Sequence, residues 1–239
     1  MVDVSIITNC HQEGRLSRAT MLSVRACIDA ARQAGIKVEW LVVRDCPNEA
    51  TVQCTEQYCL PEAQIIDVNF KDLSLARNAG AKAASGRNIA FIDADDLWSR
   101  NWIVEAYRFM EMLPNEKIIL HPEWALFFEA QEFLWRVYDC SDQDFDARTL
   151  LAYNSWCMSC FGKREVYVEH PYHPNDLKRG FGYEDWHWNC ETTAAGIKHK
   201  IVPDTLYCVR VKSWQESLVA KTNEQKSIIF PSKFFAASA

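Results

Sequence analysis

The sequence has no apolar run approaching the roughly 18 to 20 residues that a bilayer-spanning helix needs. Met1-Val-Asp-Val lacks the basic start of a signal peptide, and the apolar run after it is too short for its core. Basic residues are in deficit, 26 Lys and Arg against 32 Asp and Glu, for a net charge of -6. That balance argues against nucleic acid as the main partner. The six histidines show no H-x-x-x-H spacing. Cys157-Met-Ser-Cys160 has no second cysteine pair and no histidine beside it, which speaks against a zinc site. The ten cysteines are scattered through a chain too long to need staples, so they read as reduced thiols used as small core residues. No internal repeat is present, and no linker is long enough to separate two domains.

What is present is the composition of a soluble globular protein, 49% apolar and 24% charged over 239 residues. Strand and helix patterns alternate through the first half. Strands are expected at Val4 to Thr8, Val38 to Val43, Ile65 to Val68 and over the apolar run Ile89 to Ile92. Helices are expected from Leu16 to near Gly35, over Thr51 to Tyr58, and from Leu73 toward Gly86 with Ser74 as N-cap. A further helix, capped by Ser99, should turn Ile103, Ala106, Met110 and Leu113 inward. Such alternation predicts a parallel sheet covered on both faces. The second half breaks the rhythm. Short strands are expected at 118–122, 125–128, 133–138 and 205–212, and a helix at Glu184 to Ala195. His170 to Gly182, rich in Pro, Gly and His, reads as a mobile lid, and residues after Asn223 as a loosely docked tail.

The chain is organised around Asn88-Ile-Ala-Phe-Ile-Asp93-Ala-Asp95-Asp96-Leu-Trp98. An apolar run here meets three carboxylates within four positions. Open α/β sheets bind their ligands at the carboxyl edge of the strands, where these acids fall. Three like charges so close call for a positive neighbour, and a hard divalent cation bridging to phosphates is the economical one. On an extended strand Asp93 and Asp95 point the same way, so both can converge on one ion and its diphosphate.

Val4-Ser-Ile-Ile-Thr8, Val42-Val-Arg-Asp45, Leu75-Ala-Arg-Asn-Ala-Gly80, Phe91-Ile-Asp-Ala-Asp-Asp96, Glu184-Asp185-Trp186 and Pro203 to Ser217 occur in a set order. In that order and spacing the sequence resembles family 2 glycosyltransferases of the GT-A fold, over roughly residues 2 to 218. The resemblance implies a Rossmann-like, mostly parallel central sheet flanked by helices, with a mixed C-terminal acceptor-side half. It implies one domain, with residues 1–98 on the nucleotide-sugar side, 99–218 on the acceptor side and 219–239 as a tail. It further implies inverting transfer of a sugar from a nucleoside diphosphate to an acceptor hydroxyl, usually with Mn²⁺ or Mg²⁺.

Residue by residue, the resemblance implies that Asp185, at a helix N-terminus, is the general base, with Glu184 beside it. The helix end should keep that base ionised at neutral pH. Thr8, Asn9, Asp45, Arg77, Asp93, Asp96, Arg210 and Lys212 fall to donor binding and Asp95 to the metal. Asp45 would accept the N3–H of uracil or thymine, which points to a UDP- or dTDP-sugar. Arg77 would lie near the base or phosphates. Many relatives carry a histidine near Lys212 that completes the metal shell; a protonated lysine cannot ligate, but it can neutralise phosphate directly. Trp186, His187 and Trp188 are acceptor-side candidates, because tryptophan faces stack on sugar rings. The expected acceptor is a glycan or lipid-linked glycan in bacterial polysaccharide assembly, and the expected place is the cytoplasm, or the inner face of the membrane through partners. The rival readings are a nucleotidyltransferase and an inactive sugar-binding module. Asn9 to Gly14 holds one glycine and one histidine, a poor triphosphate cradle, which disfavours the first. Retention of the Asp93/Asp95 and Glu184-Asp185 pairs disfavours the second.

Overall fold

The computed structural model describes residues 1–212 and 218–237. Its centre is a nine-stranded sheet. Four strands, β1 (Val4–Cys10), β2 (Val38–Asp45), β3 (Gln64–Val68) and β4 (Asn88–Asp93), form a parallel block in the order β3-β2-β1-β4. The helices between them, α1 (Ser17–Gln33), α2 (Glu49–Tyr58) and α3 (Leu73–Ala83), are the crossovers that parallel pairing requires. The alternation expected from the sequence is therefore found; β1 and β2 run two residues past their expected ends, β3 begins one residue earlier, and β4 adds one residue at each end.

Two packed layers follow from the period of two along each strand. Val4, Ile6, Ala90 and Ile92 face one side, where α1 and α4 (Trp102–Met112) close a core around Met21, Val24, Trp102 and Ile103. Ile7, Val43, Ile89 and Phe91 face the other, against α3, α5 (Arg164–Glu169) and Trp188. Gly80 lets α3 approach the sheet closely, since a Cβ there would lie 2.6 Å from Ile7 Cγ2.

The second half extends the sheet with mixed pairing. β8 (Cys160–Lys163) runs antiparallel to β4, and β6 (Ile118–Glu129) lies beyond it. β9 (Lys198–Val211) pairs parallel with β6, while β7 (Phe133–Arg136) and β5 (Leu97–Trp98) pair antiparallel with β6 and β9. The two strands expected over 118–128 are one strand. Pro122 cannot donate to a ladder, and the pairing with β9 shifts register just after it rather than ending. β9 begins seven residues before the expected Thr205, because Pro203 falls at that same irregularity.

Several local expectations are corrected. Asp72, not Ser74, caps α3, accepting the Leu75 amide at 2.9 Å, and Ser74 is buried. Ser99 does not cap α4 through its side chain; its Oγ accepts the Leu206 amide at 3.0 Å. Residues after Asn223 are not loosely docked: Ile229 and Phe234 are buried against Trp156 and Cys190, and a short helix, Lys233–Ala237, contacts α6 (Glu184–Ala194). His170 to Gly182 is tied down rather than free. Asn78 exchanges two hydrogen bonds with the Tyr172 backbone, at 2.8 and 2.9 Å, and Asp176 pairs with Phe181. All ten cysteines are free, and Cys160 is buried as a core residue. Among the described residues no helix is long and apolar enough to cross a membrane.

Candidate active site

Parallel strands deliver their last residues to one edge, and the acids arrive there as expected. β4 ends on Asp93, and the chain turns over 94–96. The turn, closed by the Asp96 amide on the Asp93 carbonyl at 3.1 Å, ends the alternation that would have aimed Asp93 and Asp95 together. Each carboxylate instead meets its own partner. Asp93 lies against the Arg77 guanidinium at 3.1 and 3.2 Å. Asp95 is 2.7 Å from the Lys212 ammonium. Asp96 is buried, accepting the Tyr207 hydroxyl on one oxygen and the Arg210 amide, at 2.7 Å, on the other. Positive neighbours for Asp93 and Asp95 are thus present in the chain itself, while Asp96 is held by neutral donors.

Arg77 is 1% exposed, so it does not face the phosphate side directly. It bridges Asp93 to Glu184, which its other terminal nitrogen meets at 2.7 Å. Burial works against its charge, but Asp93 and Glu184 more than offset that and raise its pKa. Desolvation raises the pKa of Asp93 and of Asp96, reinforced at Asp96 by its acidic neighbours. At Lys212 burial disfavours the ammonium, and Asp95 outweighs it.

The first turn of α6 presents Glu184 and Asp185. Tyr183 precedes them in the left-handed region, φ 59°, a strained conformation that turns the chain sharply into the helix. Glu184 is buried between Arg77 and the Asn175 amide, the latter at 3.1 Å. Asp185 is half-buried. Its Oδ1 accepts the Trp186 amide at 2.8 Å, and its Oδ2 accepts Asn154 Nδ2 at 3.0 Å. Burial, reinforced by Glu184, pushes the carboxyl up to about 7, so the helix end does not keep it in the ordinary carboxylate range. A group with that value is balanced between taking and giving a proton near neutrality.

Other candidates fall elsewhere. The Thr8 hydroxyl accepts Trp40 Nε1 at 2.9 Å inside the first core layer, on the sheet face opposite Asp93. Asn9 shares the face of Asp93 and pairs with it in register, is 3% exposed, and has no side-chain partner among the described residues. Asp45 is buried with three backbone amides on its oxygens: Phe70 at 2.7 Å, Lys71 at 2.9 Å and Asp72 at 2.9 Å. One acceptor position on Oδ2 is left for a base edge. Arg210 turns from the acids' side chains to the Asp95 carbonyl at 2.9 Å, to Glu129, and over the Phe128 ring. Trp188 is 2% exposed and stacked on Tyr172, and His187 is buried beside His173 and Phe230; both are packing residues because their faces on α6 point inward. Trp186 is half-buried and donates to the Leu150 carbonyl at 2.9 Å. Ser213 to Ser217, the end of the motif after Lys212, lies outside the described residues.

The polar residues that pattern reading passed over are the ones that hold the acids. Asn154, Asn175 and Asn189 carry no motif, and Tyr207 lies within the Pro203 to Ser217 motif without being singled out there. Asp72 did carry a signal, an aspartate directly before an apolar helical pattern.

Oxygen-only ligands suit Mn²⁺ or Mg²⁺, and Mg²⁺ is commonly held by one or two carboxylates together with substrate phosphates. Asp93 and Asp96 are each engaged at both oxygens, whereas Asp95 meets Lys212 through Oδ2, so Asp95 is the carboxylate that would fit such an ion, in competition with that ammonium. Among the described residues no cluster of three His, Cys, Asp or Glu has metal-binding geometry.

Comparisons with known proteins bear on the family and the fold. The profile "Glycosyl transferase family 2" matches residues 5–139, more than half of the chain. A teichuronic acid biosynthesis glycosyltransferase of Bacillus subtilis (strain 168), TuaG, is 32% identical over 75 residues, 30% of each chain. The succinoglycan biosynthesis protein ExoO of Rhizobium meliloti (strain 1021) is 40% identical over 74 residues, 30% of this chain and 21% of that one. The matches thus span under a third of those relatives. The structure of S. aureus TarS 1-349 in complex with UDP superposes with a TM-score of 0.68 at 15% identity, over 89% of this chain and 62% of that one. The mannosyltransferase PcManGT from Pyrobaculum calidifontis, in complex with GDP-Man and Mn²⁺, gives 0.60 at 16% identity, over 88% and 57%. Sheet order, helix placement and these likenesses give the GT-A fold, and with the profile match over the acidic strand edge the chain belongs to glycosyltransferase family 2.

Proposed function

We propose that the protein transfers a sugar from a UDP- or dTDP-sugar to a hydroxyl of a glycan or lipid-linked glycan, with inversion, in bacterial polysaccharide synthesis. The observation that carries this reading is the meeting of Asp93, Glu184 and Asp185 around buried Arg77 at the carboxyl edge of the sheet. Residues 1–98 form the donor side, residues 99–218 the acceptor side, and 219–239 the tail. The relatives named for teichuronic acid and succinoglycan synthesis support the polysaccharide context, and the UDP complex of TarS supports the donor class.

In this mechanism Asp185 takes the proton of the acceptor hydroxyl as its oxygen bonds to the anomeric carbon. The bond to the diphosphate breaks in the same displacement, and the configuration inverts. Lys212 meets the negative charge of the departing diphosphate. Asp95 would hold a divalent ion with the donor phosphates, which supplies Lewis-acid stabilisation of the leaving group. Asn9 and the remaining acceptor position of Asp45 face the nucleoside. Glu184 and Arg77 set the position of the first turn of α6 and of Asp93.

Nucleotide release from a panel of UDP-, dTDP-, GDP- and CMP-sugars tests the donor class. UDP- or dTDP-sugars should lead, and a clear GDP-sugar preference would overturn the base assignment. Asp185→Asn should lower transfer by about 10²- to 10⁴-fold while leaving melting temperature and nucleotide affinity unchanged. Transfer within a few-fold of the parent would remove Asp185 as the base.

A further inference from the structure

Asp185 differs from the other site acids in what holds it. Asp93 and Glu184 share a guanidinium, and Asp95 has an ammonium. Asp185 Oδ2 is held by a neutral amide, Nδ2 of Asn154, at 3.0 Å. The amide oxygen of Asn154 in turn accepts Nδ2 of Asn189 at 2.8 Å. Asn189 is 3% exposed and lies one helical turn after Asp185 on α6, so the two share a face of the helix. Asn154 comes from outside that helix. It follows a short 3₁₀ turn, Ala147–Leu151, and precedes Trp156, which is 1% exposed and anchored by Nε1 on the Tyr138 carbonyl at 2.8 Å.

The chemistry fixes the direction of this chain. An ionised carboxylate only accepts, so the Asn154 nitrogen must face Asp185 and its oxygen must face away. That oxygen only accepts, so Asn189 must present its nitrogen. The result is one ordered relay, Asn189 to Asn154 to Asp185, spanning the first turn of α6 from a separate element.

We propose that Asn154, backed by Asn189, is a positioning residue for the base. It fixes the rotamer of Asp185 and favours its ionised form through a donor that cannot lose or gain a proton near neutrality. The proposal rests on the reading of Asp185 as the base. An arginine or lysine in the same place would also orient the carboxylate. It would hold it too far down to accept a proton from a hydroxyl. A neutral amide orients without that cost, while burial, with Glu184 and Asp93 raising the carboxyl and Arg77 and the Trp186 amide lowering it, leaves it at about 7. The second oxygen, on the Trp186 amide, completes the fixation with another neutral donor.

The relay is separable from the base reading, because the titration of Asp185 can be followed without turnover. A carboxyl ¹³C NMR titration of the whole chain, with Asp185→Asn identifying the resonance, gives its midpoint. Asn154→Ala removes a donor to the charged form, so the midpoint should rise by about one unit. The acid limb of nucleotide release from the preferred UDP- or dTDP-sugar should move up with it. At pH 7 kcat should fall about fivefold, as the ionised fraction drops from about one half to about one eleventh, and KM for the donor should hold. Asn189→Ala should shift the midpoint in the same direction by less, and the double variant should shift no further than Asn154→Ala alone. Asn154→Asp keeps the shape should the alanine variant fail to fold, and it should raise the midpoint further by adding a like charge. An unmoved midpoint in Asn154→Ala, or in Asn154→Asp if that is the variant that folds, would overturn the relay. An active Asp185→Asn with a shifted midpoint in the Asn154 variant would overturn the base reading and leave the relay standing as a structural clamp.

Discussion

The two halves of the molecule hold their buried side chains differently. On the parallel side, the buried arginines are met by charge, Arg77 between Asp93 and Glu184 and Arg44 on Asp67 through two contacts at 2.7 Å, while Asp45 is met by backbone amides. On the mixed side, buried polarity is met by neutral groups. Asn154 holds Asp185, and a stacked run of His121, His199 and Trp156 lies inside the second-half core. His121 Nδ1 meets the Ser159 carbonyl at 3.2 Å, its Nε2 meets His199 Nδ1 at 2.9 Å, and His199 Nε2 meets the Thr192 hydroxyl at 2.9 Å. With both rings neutral, the Ser159 carbonyl accepts only, so the protons run one way, from Thr192 through His199 and His121 to Ser159. The difference teaches where proton traffic is permitted. Charge pairing favours one protonation state; with neutral partners burial decides, keeping both histidines uncharged near neutrality and bringing the Asp185 carboxyl to about 7.

Breaking a charge-paired element should be the most damaging change. Arg77→Met leaves Asp93 and Glu184 facing each other without a cation, and should cost about 3 to 5 kcal/mol of stability. Chemical denaturation measures this, and a loss under about 1 kcal/mol would mean that the ion network contributes no more than an exposed pair. A smaller effect is expected on the neutral side, and it depends on pH. Burial pushes His121 down to about 3, and it pushes His199 well below its ordinary value. Below about 6.5, the unfolded histidine value, the unfolded chain binds protons that the folded chain refuses. Stability from this pair is therefore complete above that pH and is lost as pH falls. The loss for His121 is about 2 kcal/mol by pH 5, from a difference of about 1.5 units. Denaturation midpoints at pH 7 and pH 5 test it, and a His121→Gln variant with the same acid sensitivity as the parent would refute it. Smallest is the loss of a cap. Asp72→Ala should cost about 1 kcal/mol, read as a drop in melting temperature, and no change would show that the Leu75 amide finds another acceptor.

Legibility follows the same division. The parallel half could be read because each strand and helix ends on its own local signal, such as Pro47-Asn48 before α2, and because the acidic strand edge carries a motif. The mixed half resisted because its signals are long-range. β6 crosses Pro122 only because β9 shifts register beside it, and β9 crosses Pro203 for the same reason. Asp93, Asp95, Asp96, Glu184 and Asp185 were legible as acids in a pattern. Their partners were not, since Arg77 meets Glu184 across 107 residues and Tyr207 meets Asp96 across 111. Nothing around Asn154 in the sequence distinguishes it from any other loop asparagine, because its role comes from a helix 31 residues away. The ionisation of Asp185 was misjudged because a helix end is local and visible in sequence, while burial is not.

The clasp that Asp45 makes on the amides of residues 70–72 has a consequence beyond the end of β2. Asp72 accepts the Leu75 amide on one oxygen and the Asn175 amide on the other, both at 2.9 Å, and the Asn175 side chain reaches Glu184. Followed as a path, this runs from the end of β2 through Asp72, Asn175 and Glu184 to the turn that carries the proposed base. A ligand that ordered loop 70–72 would then bear on the first turn of α6 along it. Thermodynamic linkage would make such a coupling reciprocal, so that whatever steadied Asp185 would steady the loop by the same free energy. Order at the proposed donor side and placement of the proposed base would then be one equilibrium viewed from two ends.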